Sequence, residues 1–190
     1  MFTTINVPTD TVHFGHLKHL KLSGIDFTID PFCDYLTFRL PVLKKFEISN
    51  CKWSSGKDVI VDASLLESIS IQELNELEGE SIKFNALYLK EFNYCGDETR
   101  CFAFQLFQHF HQVKWIKFEG SEVLTQSKED VYPVSALPVF ANLSQLELGL
   151  VTIEVILGLL QKSPLLKTLV LTLKETPKFS KELLTLAVVP

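Results

Sequence analysis

Three histidines at intervals of three residues, His13, His16 and His19, are the side chains of this sequence that most resemble a metal-binding cluster. On an extended strand, a spacing of three directs successive side chains to opposite faces, so the three imidazoles do not converge on one ion. His19 also falls on the solvent-facing third position of a sequence repeat. The spacing therefore predicts solvated histidines and no metal site.

The remaining candidates for chemistry meet the same difficulty. His109 and His111 lie two residues apart on a predicted helix, where positions i and i+2 do not share a face. Cys95 and Cys101 are six residues apart, without a histidine at zinc-finger spacing. The sequence contains no nucleophile elbow, H-E-x-x-H motif, P-loop or dinucleotide fingerprint. We therefore expect a protein that is not an enzyme, with no catalytic, metal-binding or cofactor-binding residues.

Composition and charge narrow the class of protein further. Of the 190 residues, 46% are hydrophobic and 22% are charged, which is typical of a folded chain and not of a disordered one. The net charge is −5, and the only arginines are Arg39 and Arg100. A nucleic-acid partner requires a clustered positive surface, so we expect none.

No part of the sequence predicts insertion into a membrane or export. The longest apolar stretch, residues 148–160, spans 13 residues, whereas a membrane helix needs about 20. The first residues have neither the basic region nor the apolar segment of a signal peptide. The four cysteines form no C-x-x-C pair. We expect a cytoplasmic or nuclear protein, or one found in both compartments, with reduced thiols and no membrane partner.

A repeat of the form apolar-x-x-apolar-x-apolar dominates the sequence. Its copies are spaced by 23 to 30 residues, about 25 on average, which is the range of a leucine-rich repeat. The second position is polar in all seven copies and the fifth in six, the alternation that a strand with one buried face requires. The copies begin at Leu17, Leu43, Leu66, Leu89, Val113, Leu143 and Leu166.

Seven copies in phase predict an α/β fold, a leucine-rich-repeat solenoid of about seven repeats. Its curved parallel sheet is expected to be closed by irregular and helical return segments. The array covers residues 17–173 and contains a polar insertion at about 121–138. Residues 1–16 form a lead-in, and residues 174–190 form a tail that either folds back over the last coil or leaves an open edge.

The segments that connect the copies differ in their pattern. Residues 30–36, 102–110 and 153–160 are predicted to be helical, whereas residues 59–61 and 82–84 alternate as short strands. The first helical prediction depends on Asp30 as a cap before a proline. The apolar stripe of the last predicted helix consists of Ile153, Ile156, Leu157 and Leu160.

Three stretches, residues 17–53, 59–71 and 140–171, resemble the repeat portion of the plant F-box/LRR and F-box/FBD/LRR-repeat proteins. The most specific part is Phe140-Ala-Asn-Leu-Ser-Gln-Leu-Glu-Leu148, followed by Leu159-Leu-Gln-Lys-Ser-Pro-Leu-Leu-Lys-Thr-Leu-Val-Leu171. The resemblance implies an array that selects a target protein for ubiquitination, as the substrate-recognition part of an F-box ubiquitin-ligase subunit.

The sequence departs from this family in two respects. The residues before the first repeat do not resemble an F-box, the helical segment that docks a Skp-type adaptor, and most or all of the FBD segment after Leu173 is missing. We therefore expect no adaptor binding. The ninth repeat position, usually Asn or Cys in the family, is matched only by Cys51, which predicts irregular turns without a side-chain ladder.

The third, fifth and seventh positions of each copy point away from the leucines and are expected to line a concave sheet that binds an unknown target protein. Trp115 is the one large apolar side chain at these positions, either a binding anchor or covered by the polar insertion. The candidate partner-binding residues are Lys45, Glu47, Ser70, Glu91, Asn93, Trp115, Lys117, Glu119, Gln145 and Glu147.

Two further alternatives stay open. The chain is either such a target-binding protein or a structural or scaffold repeat protein, or a truncated gene product, with no link to ubiquitin. Lysines at the second repeat position form either a docking rail for an acidic partner or a solvated rim that limits aggregation. These lysines are Lys18, Lys44, Lys90, Lys114 and Lys167.

Overall fold

The structure is a computed structural model that describes residues 3–7, 11–29, 35–53, 58–72, 82–96, 112–119, 137–149, 151, 153–172 and 184–187. These residues are mostly parallel sheet with one short helix, arranged as a repeat solenoid. They belong to two compact units, residues 1–89 and residues 90–190. The prediction of a repeat solenoid built on parallel strands is thus confirmed.

The first unit contains ten strands among its described residues. They are β1 (Thr3–Val7), β2 (Thr11–His13), β3 (His19–Ser23), β4 (Ile25–Ile29), β5 (Tyr35–Arg39), β6 (Lys45–Ser49), β7 (Lys52–Trp53), β8 (Asp58–Asp62), β9 (Ser68–Gln72) and β10 (Ile82–Asn85). β3, β6 and β9 carry successive copies of the repeat and pair in parallel in that order. β2, β5, β8 and β10 form a second sheet, and β1, β4 and β7 form a third. The coils that start at β3 and β6 therefore each supply one strand to three sheets in turn.

The second unit contains five strands and one helix among its described residues. They are β11 (Glu91–Cys95), β12 (Trp115–Glu119), β13 (Gln145–Gly149), α1 (Ile153–Gln161), β14 (Thr168–Thr172) and β15 (Leu184–Ala187). β11, β12, β13 and β14 carry successive copies of the repeat and pair in parallel. A strand thus occupies the third to seventh positions of every copy of the repeat in both units.

Most repeat strands bury the fourth and sixth positions of the repeat, as the alternation predicts, whereas Leu20 and Leu22 on β3 and Leu171 on β14 are half-buried. On β6, Phe46 and Ile48 are buried, whereas Lys45 between the turn and Phe46 is exposed. Rings fill the space between the strands of a coil and their neighbours: Phe46 meets Phe84 of β10 edge-on at 5.6 Å, and Tyr94 stacks on Phe118 at 5.0 Å. These contacts place the core of each unit behind the repeat strands.

A recurring backbone arrangement fixes where each repeat strand begins. The carbonyl of Lys18 accepts hydrogen bonds from the amides of Lys44 and Lys45, at 2.8 and 3.2 Å. The carbonyl of Lys114 accepts from Ser144 and Gln145 in the same way, at 2.9 and 3.1 Å. One carbonyl of each copy is therefore shared by two amides of the next, which sets the register between coils.

The turn that follows the strand is more regular than predicted. Gly24 and Asn50, at the eighth position, have positive φ values of 64° and 49°, a left-handed conformation that Gly and Asn tolerate best. Their amides donate to the carbonyls of Ser49 and Gln72 in the next copy, at 3.1 and 3.0 Å. The expectation of an irregular turn is wrong at the first copy, whose ninth position is Ile25, because backbone hydrogen bonds between copies form a ladder there without a side chain at the ninth position.

Cys51, at the ninth position of the second copy, is a buried small residue. Its side chain is fully buried, and its Sγ donates to the carbonyl of Ser49 at 3.4 Å. Burial raises the pKa of the Cys51 thiol, although backbone hydrogen bonds with Ile25, Ser49 and Gly24 act in the opposite direction. The thiol is therefore a structural group within the turn.

The return segments confirm some predictions and correct one. Residues 59–61 and 82–84 lie in strands β8 and β10, as predicted. Tyr35 and Leu36, predicted to be helical, lie in strand β5, where Leu36 and Phe38 are buried in strict alternation. That alternation outweighs the local proline signal. The rest of residues 30–36, all of residues 102–110 and most of the predicted insertion lie outside the described residues.

The helix α1 confirms the prediction for residues 153–160 but buries a different face. Val155 and Leu159, four residues apart, are buried, whereas Ile153 and Leu157 of the predicted stripe are 65% and 55% exposed. The buried face of α1 is rotated relative to the predicted stripe. The six apolar residues of this helix form two overlapping apolar faces, either of which could have been buried. The predicted lead-in, in turn, contains β1 and β2, which pair with β4 and β5 of the first unit.

The tail folds back on the last repeat strand. β15 pairs antiparallel with β14, so that Leu184 lies opposite Leu171 and Ala187 opposite Thr168. Of the two alternatives for the tail, the structure shows the one in which the edge of β14 is covered. An exposed edge would present unpaired amides and carbonyls to another chain.

We expect that deletion of residues 176–190 makes the protein self-associate, because it removes β15 and leaves the edge of β14 open. Light scattering after size-exclusion chromatography measures this as a mass that rises with protein concentration. Deletion of residues 188–190 alone is the matched control, since it retains β15. A 176–190 deletion variant that stays monomeric at high concentration would show that β15 has no such role.

Candidate functional site

The candidate residues of the second unit lie together on one face of its repeat sheet. We call this surface the second-unit face, formed by the third, fifth and seventh positions of the four repeat strands. It lies opposite the buried side chains of the fourth and sixth positions, of which Ile116 and Leu146 are fully buried. The second-unit face consists of Glu91, Asn93, Cys95, Trp115, Lys117, Glu119, Gln145, Glu147, Gly149, Thr168, Val170 and Thr172.

Trp115 is held in one orientation on this face. Its indole Nε1 donates a hydrogen bond to Oε1 of Glu147 on the neighbouring strand, at 3.1 Å. Gln145 Nε2 donates to the same oxygen at 2.8 Å. The Trp115 side chain is half-buried, so part of the ring faces solvent. Residues 120–136, which include most of the predicted cover, lie outside the described residues.

Lys117 and Glu119 form an ion pair beside Trp115, with 3.1 Å between Nζ and Oε1. The hydrogen bond that Lys117 donates to Glu119 raises the pKa of Lys117, against a smaller opposing effect of burial. Cys95 Sγ lies 3.7 Å from the other carboxylate oxygen of Glu119. A Cβ at Gly149 would lie 3.1 Å from Cγ of Glu119, so this glycine leaves room for the Glu119 side chain.

The first unit has a corresponding surface, the first-unit face, on β3, β6 and β9. Its centre is Glu47, which lies within ion-pair distance of His19, Lys21 and Lys45, at 3.5 Å from His19 Nε2 and 3.7 Å from Lys21 Nζ. The hydrogen bond from Lys45, with the neighbouring positive charges, lowers the pKa of Glu47. Ser70 lies opposite Glu47 in the register. The acid on this face is therefore compensated by its neighbours.

The predicted partner-binding residues thus fall into two groups, one in each unit. Lys45, Glu47 and Ser70 lie on the first-unit face. The other seven lie on the second-unit face: Glu91, Asn93, Trp115, Lys117, Glu119, Gln145 and Glu147. The side chains of the first-unit face sum to a charge of +1 (two lysines, one glutamate, neutral histidine), and those of the second-unit face to −2 (one lysine, three glutamates).

The lysines at the second repeat position are exposed, as both alternatives for them require. Lys44 pairs with Glu67, which occupies the same position in the next copy, at 2.9 Å between Nζ and Oε1. The third copy therefore interrupts the row of positive charge. This pairing favours a solvated rim in the first unit over a continuous docking rail.

Sequence reasoning missed the exposed apolar side chains at the turns before the repeats. Leu87 and Tyr88 are 68% and 58% exposed, and Leu165 in the second unit is 58% exposed. Tyr88 and Leu165 directly precede the first position of a repeat copy, and Leu87 lies two residues before one. A comparison of the residue before each copy would have found this pattern, since that residue is apolar in four of the seven copies.

Neither a metal centre nor a membrane-spanning helix is present in the part of the chain that the structure describes. No three His, Cys, Asp or Glu side chains within the described ranges come together as metal ligands. Among the same residues, no helix is long and apolar enough to cross a bilayer. Comparison with known proteins gives no further constraint: no family model, no curated protein and no solved structure matches this chain.

We expect Ile116→Ala to lower the free energy of unfolding by about 2–5 kcal/mol, because Ile116 is fully buried and its truncation leaves a cavity. Trp115→Ala should cost less and leave the protein folded, since the indole is half-buried and its hydrogen bond contributes about 1 kcal/mol. Urea denaturation followed by circular dichroism measures both. The reverse order of effects would mean that the two faces of β12 have been exchanged.

We expect Glu47 to stabilise the folded protein at neutral pH and to lose this contribution in acid. Its pKa in the folded state is lowered from 4.5, so the contribution is complete above that value and disappears as the pH falls through the folded-state pKa. Glu47 and its partners are partly exposed, which limits the effect to about 1 kcal/mol or less. The measurement is the difference in unfolding free energy between the unmodified protein and Glu47→Gln.

This difference should be positive at neutral pH and should approach zero only once the pH lies below the lowered folded-state pKa of Glu47, where both states are protonated. High salt at neutral pH should also reduce it, because the ion pairs are partly exposed. An unchanged difference in acid would show that Glu47 acts through packing and not through its charge.

Proposed function

We propose that this chain is a non-catalytic, protein-binding leucine-rich-repeat protein of about seven repeats. The support is that a strand occupies the third to seventh positions of each repeat copy, with neighbouring copies in register within each unit. Solenoids of this kind present long rows of side chains from successive coils, which suits the recognition of another protein.

One observation carries the proposal: a half-buried tryptophan lies on a polar face whose opposite side is fully buried core. Trp115 projects from β12, and Glu147 and Gln145 of β13 fix its surroundings. Protein interfaces are commonly anchored by such aromatic residues, surrounded by polar side chains that contribute specificity. A ring already held in place also loses less conformational entropy on binding.

The charge state of the face acids favours binding over catalysis. A carboxyl group that acts as a general acid near neutral pH needs a raised pKa. The pKa of Glu47 is lowered instead, by Lys45 and its other cationic neighbours. Glu147 is engaged as a hydrogen-bond acceptor, for Trp115 and Gln145.

The target and its fate rest on the resemblance to plant F-box/LRR-repeat proteins. We propose that the repeats act as the substrate-recognition part of such a ubiquitin-ligase subunit, in the cytoplasm, the nucleus or both. We do not propose that the repeats bind a Skp-type adaptor, a nucleic acid or a membrane. The same surface would serve a scaffold protein equally well. The experiment therefore tests binding of a target protein, which both functions require.

We expect Trp115→Ala to weaken binding of the target by about 2 kcal/mol, or roughly 30-fold in Kd. Proteins retained by the immobilised chain are compared with those retained by Trp115→Ala and by Lys83→Ala. Lys83 lies on β10 and pairs with Asp58, away from both faces. Candidates lost with Trp115→Ala but kept with Lys83→Ala are purified, and their Kd values are measured by calorimetry.

If the same proteins are retained by all three forms of the chain, the second-unit face is not the binding surface. If a purified candidate binds the Trp115→Ala variant with unchanged Kd, Trp115 is not an anchor.

A further inference from the structure

The second-unit face differs from the first-unit face in the partners of its acids. The Glu91 side chain is exposed, and no hydrogen bond or ion pair joins it to any residue that the structure describes. Glu147 uses Oε1 for both of its hydrogen bonds, and within the described ranges its Oε2 accepts none. Glu91 therefore lacks the cationic neighbours that surround Glu47. Glu147 has one such neighbour, Lys117, which interacts with it electrostatically but forms its ion pair with Glu119.

These two carboxylates lie on either side of Trp115. Glu91 is its register partner on β11, and Glu147 lies on β13, the strand on the other side. Neighbouring strands are about 4.8 Å apart, so the three side chains fall within the reach of one long side chain of a partner. A partly exposed indole between two carboxylates is an arrangement that attracts a cation, through the ring face and through charge.

We infer that the second-unit face binds a basic segment of its target, with one arginine or lysine side chain against Trp115 between Glu91 and Glu147. The inference rests on the proposed function and specifies the chemistry of the partner. The indole is oriented before binding by its hydrogen bond to Glu147, so the ring needs no rearrangement to receive the cation.

The charge of the whole face supports a basic partner over an acidic one. The face carries −2, and its one lysine, Lys117, is paired with Glu119. Lys90 and Lys114 are exposed at the second repeat position, beside the beginning of the strands. Counted from these lysines at about 3.3 Å per residue, Glu147 and Glu119 lie about 10 and 17 Å further along the strands, so a basic segment can follow these acids in that direction.

The test uses a short peptide of alternating arginine and serine, and a matched peptide with glutamate in place of arginine. Kd values are measured by calorimetry with the full chain. The arginine peptide should bind and the glutamate peptide should not. Glu91→Gln combined with Glu147→Gln should raise the Kd at least tenfold, as should Trp115→Ala. Higher salt should also weaken binding.

The double glutamine variant is expected to fold, because Gln retains a side-chain oxygen that can accept the hydrogen bond of Trp115. An unchanged thermal unfolding curve checks this. The control is Asp58→Asn combined with Asp62→Asn on β8, which removes two carboxylates outside the face and should leave the Kd within about twofold. If this control weakens binding equally, net charge alone explains the result and the inference is wrong.

Three other outcomes would also overturn the inference: no binding of the arginine peptide at about 1 mM, equal binding of the glutamate peptide, or a Kd unaffected by the double glutamine variant. Failure of the proposed function is separate. A protein target that depends on Trp115 but ignores the double glutamine variant leaves the proposed function intact. A chain with no Trp115-dependent target loses the proposed function, whatever the peptide does.

Discussion

The register between neighbouring repeat strands is the constraint on which the rest of the structure depends. Equivalent positions lie side by side without slip, so that Phe46 is paired with Ile69 and Ile116 with Leu146. Since side chains alternate between the two faces of a strand, a slip of one residue would expose the apolar row and bury the polar one. The shared carbonyl at the second position, as at Lys44, opposes such a slip because it fixes two amides of the next copy.

The same stacking decides which charges meet. Lys21 and Glu47 occupy the fifth position of adjacent copies and form an ion pair. Lys117 and Glu147 are also register partners, yet Lys117 pairs with Glu119 on its own strand. The half-buried indole of Trp115 requires an acceptor for its N–H, and Glu147 provides it. A repeat pattern therefore places the charges on one face, whereas the individual neighbours determine how they pair.

The sequence predicted the features that depend on periodicity and missed those that depend on competition between signals. A strand at each repeat copy follows from alternation, which is visible over a few residues. Residues 30–36 carried two conflicting signals, a capped proline and the alternation of Tyr35–Arg39, and burial of Leu36 favoured the strand. The turn at Gly24 was misjudged because the prediction considered side chains at the ninth position and not the backbone at the eighth.

For the candidate site, the face of each residue was predictable, but its partners were not. Glu47 and Glu147 occupy the same position of different copies, and the sequence assigns them the same orientation. Glu47 is surrounded by cations, whereas β14 presents Val170 beside Glu147, a side chain that cannot pair with a carboxylate. Since Lys117 is engaged with Glu119, Glu147 accepts hydrogen bonds from two neutral donors and forms no salt bridge among the described residues. The neighbours in adjacent copies thus distinguish Glu47, which has three cationic partners, from Glu147, whose one cationic neighbour is paired with another acid.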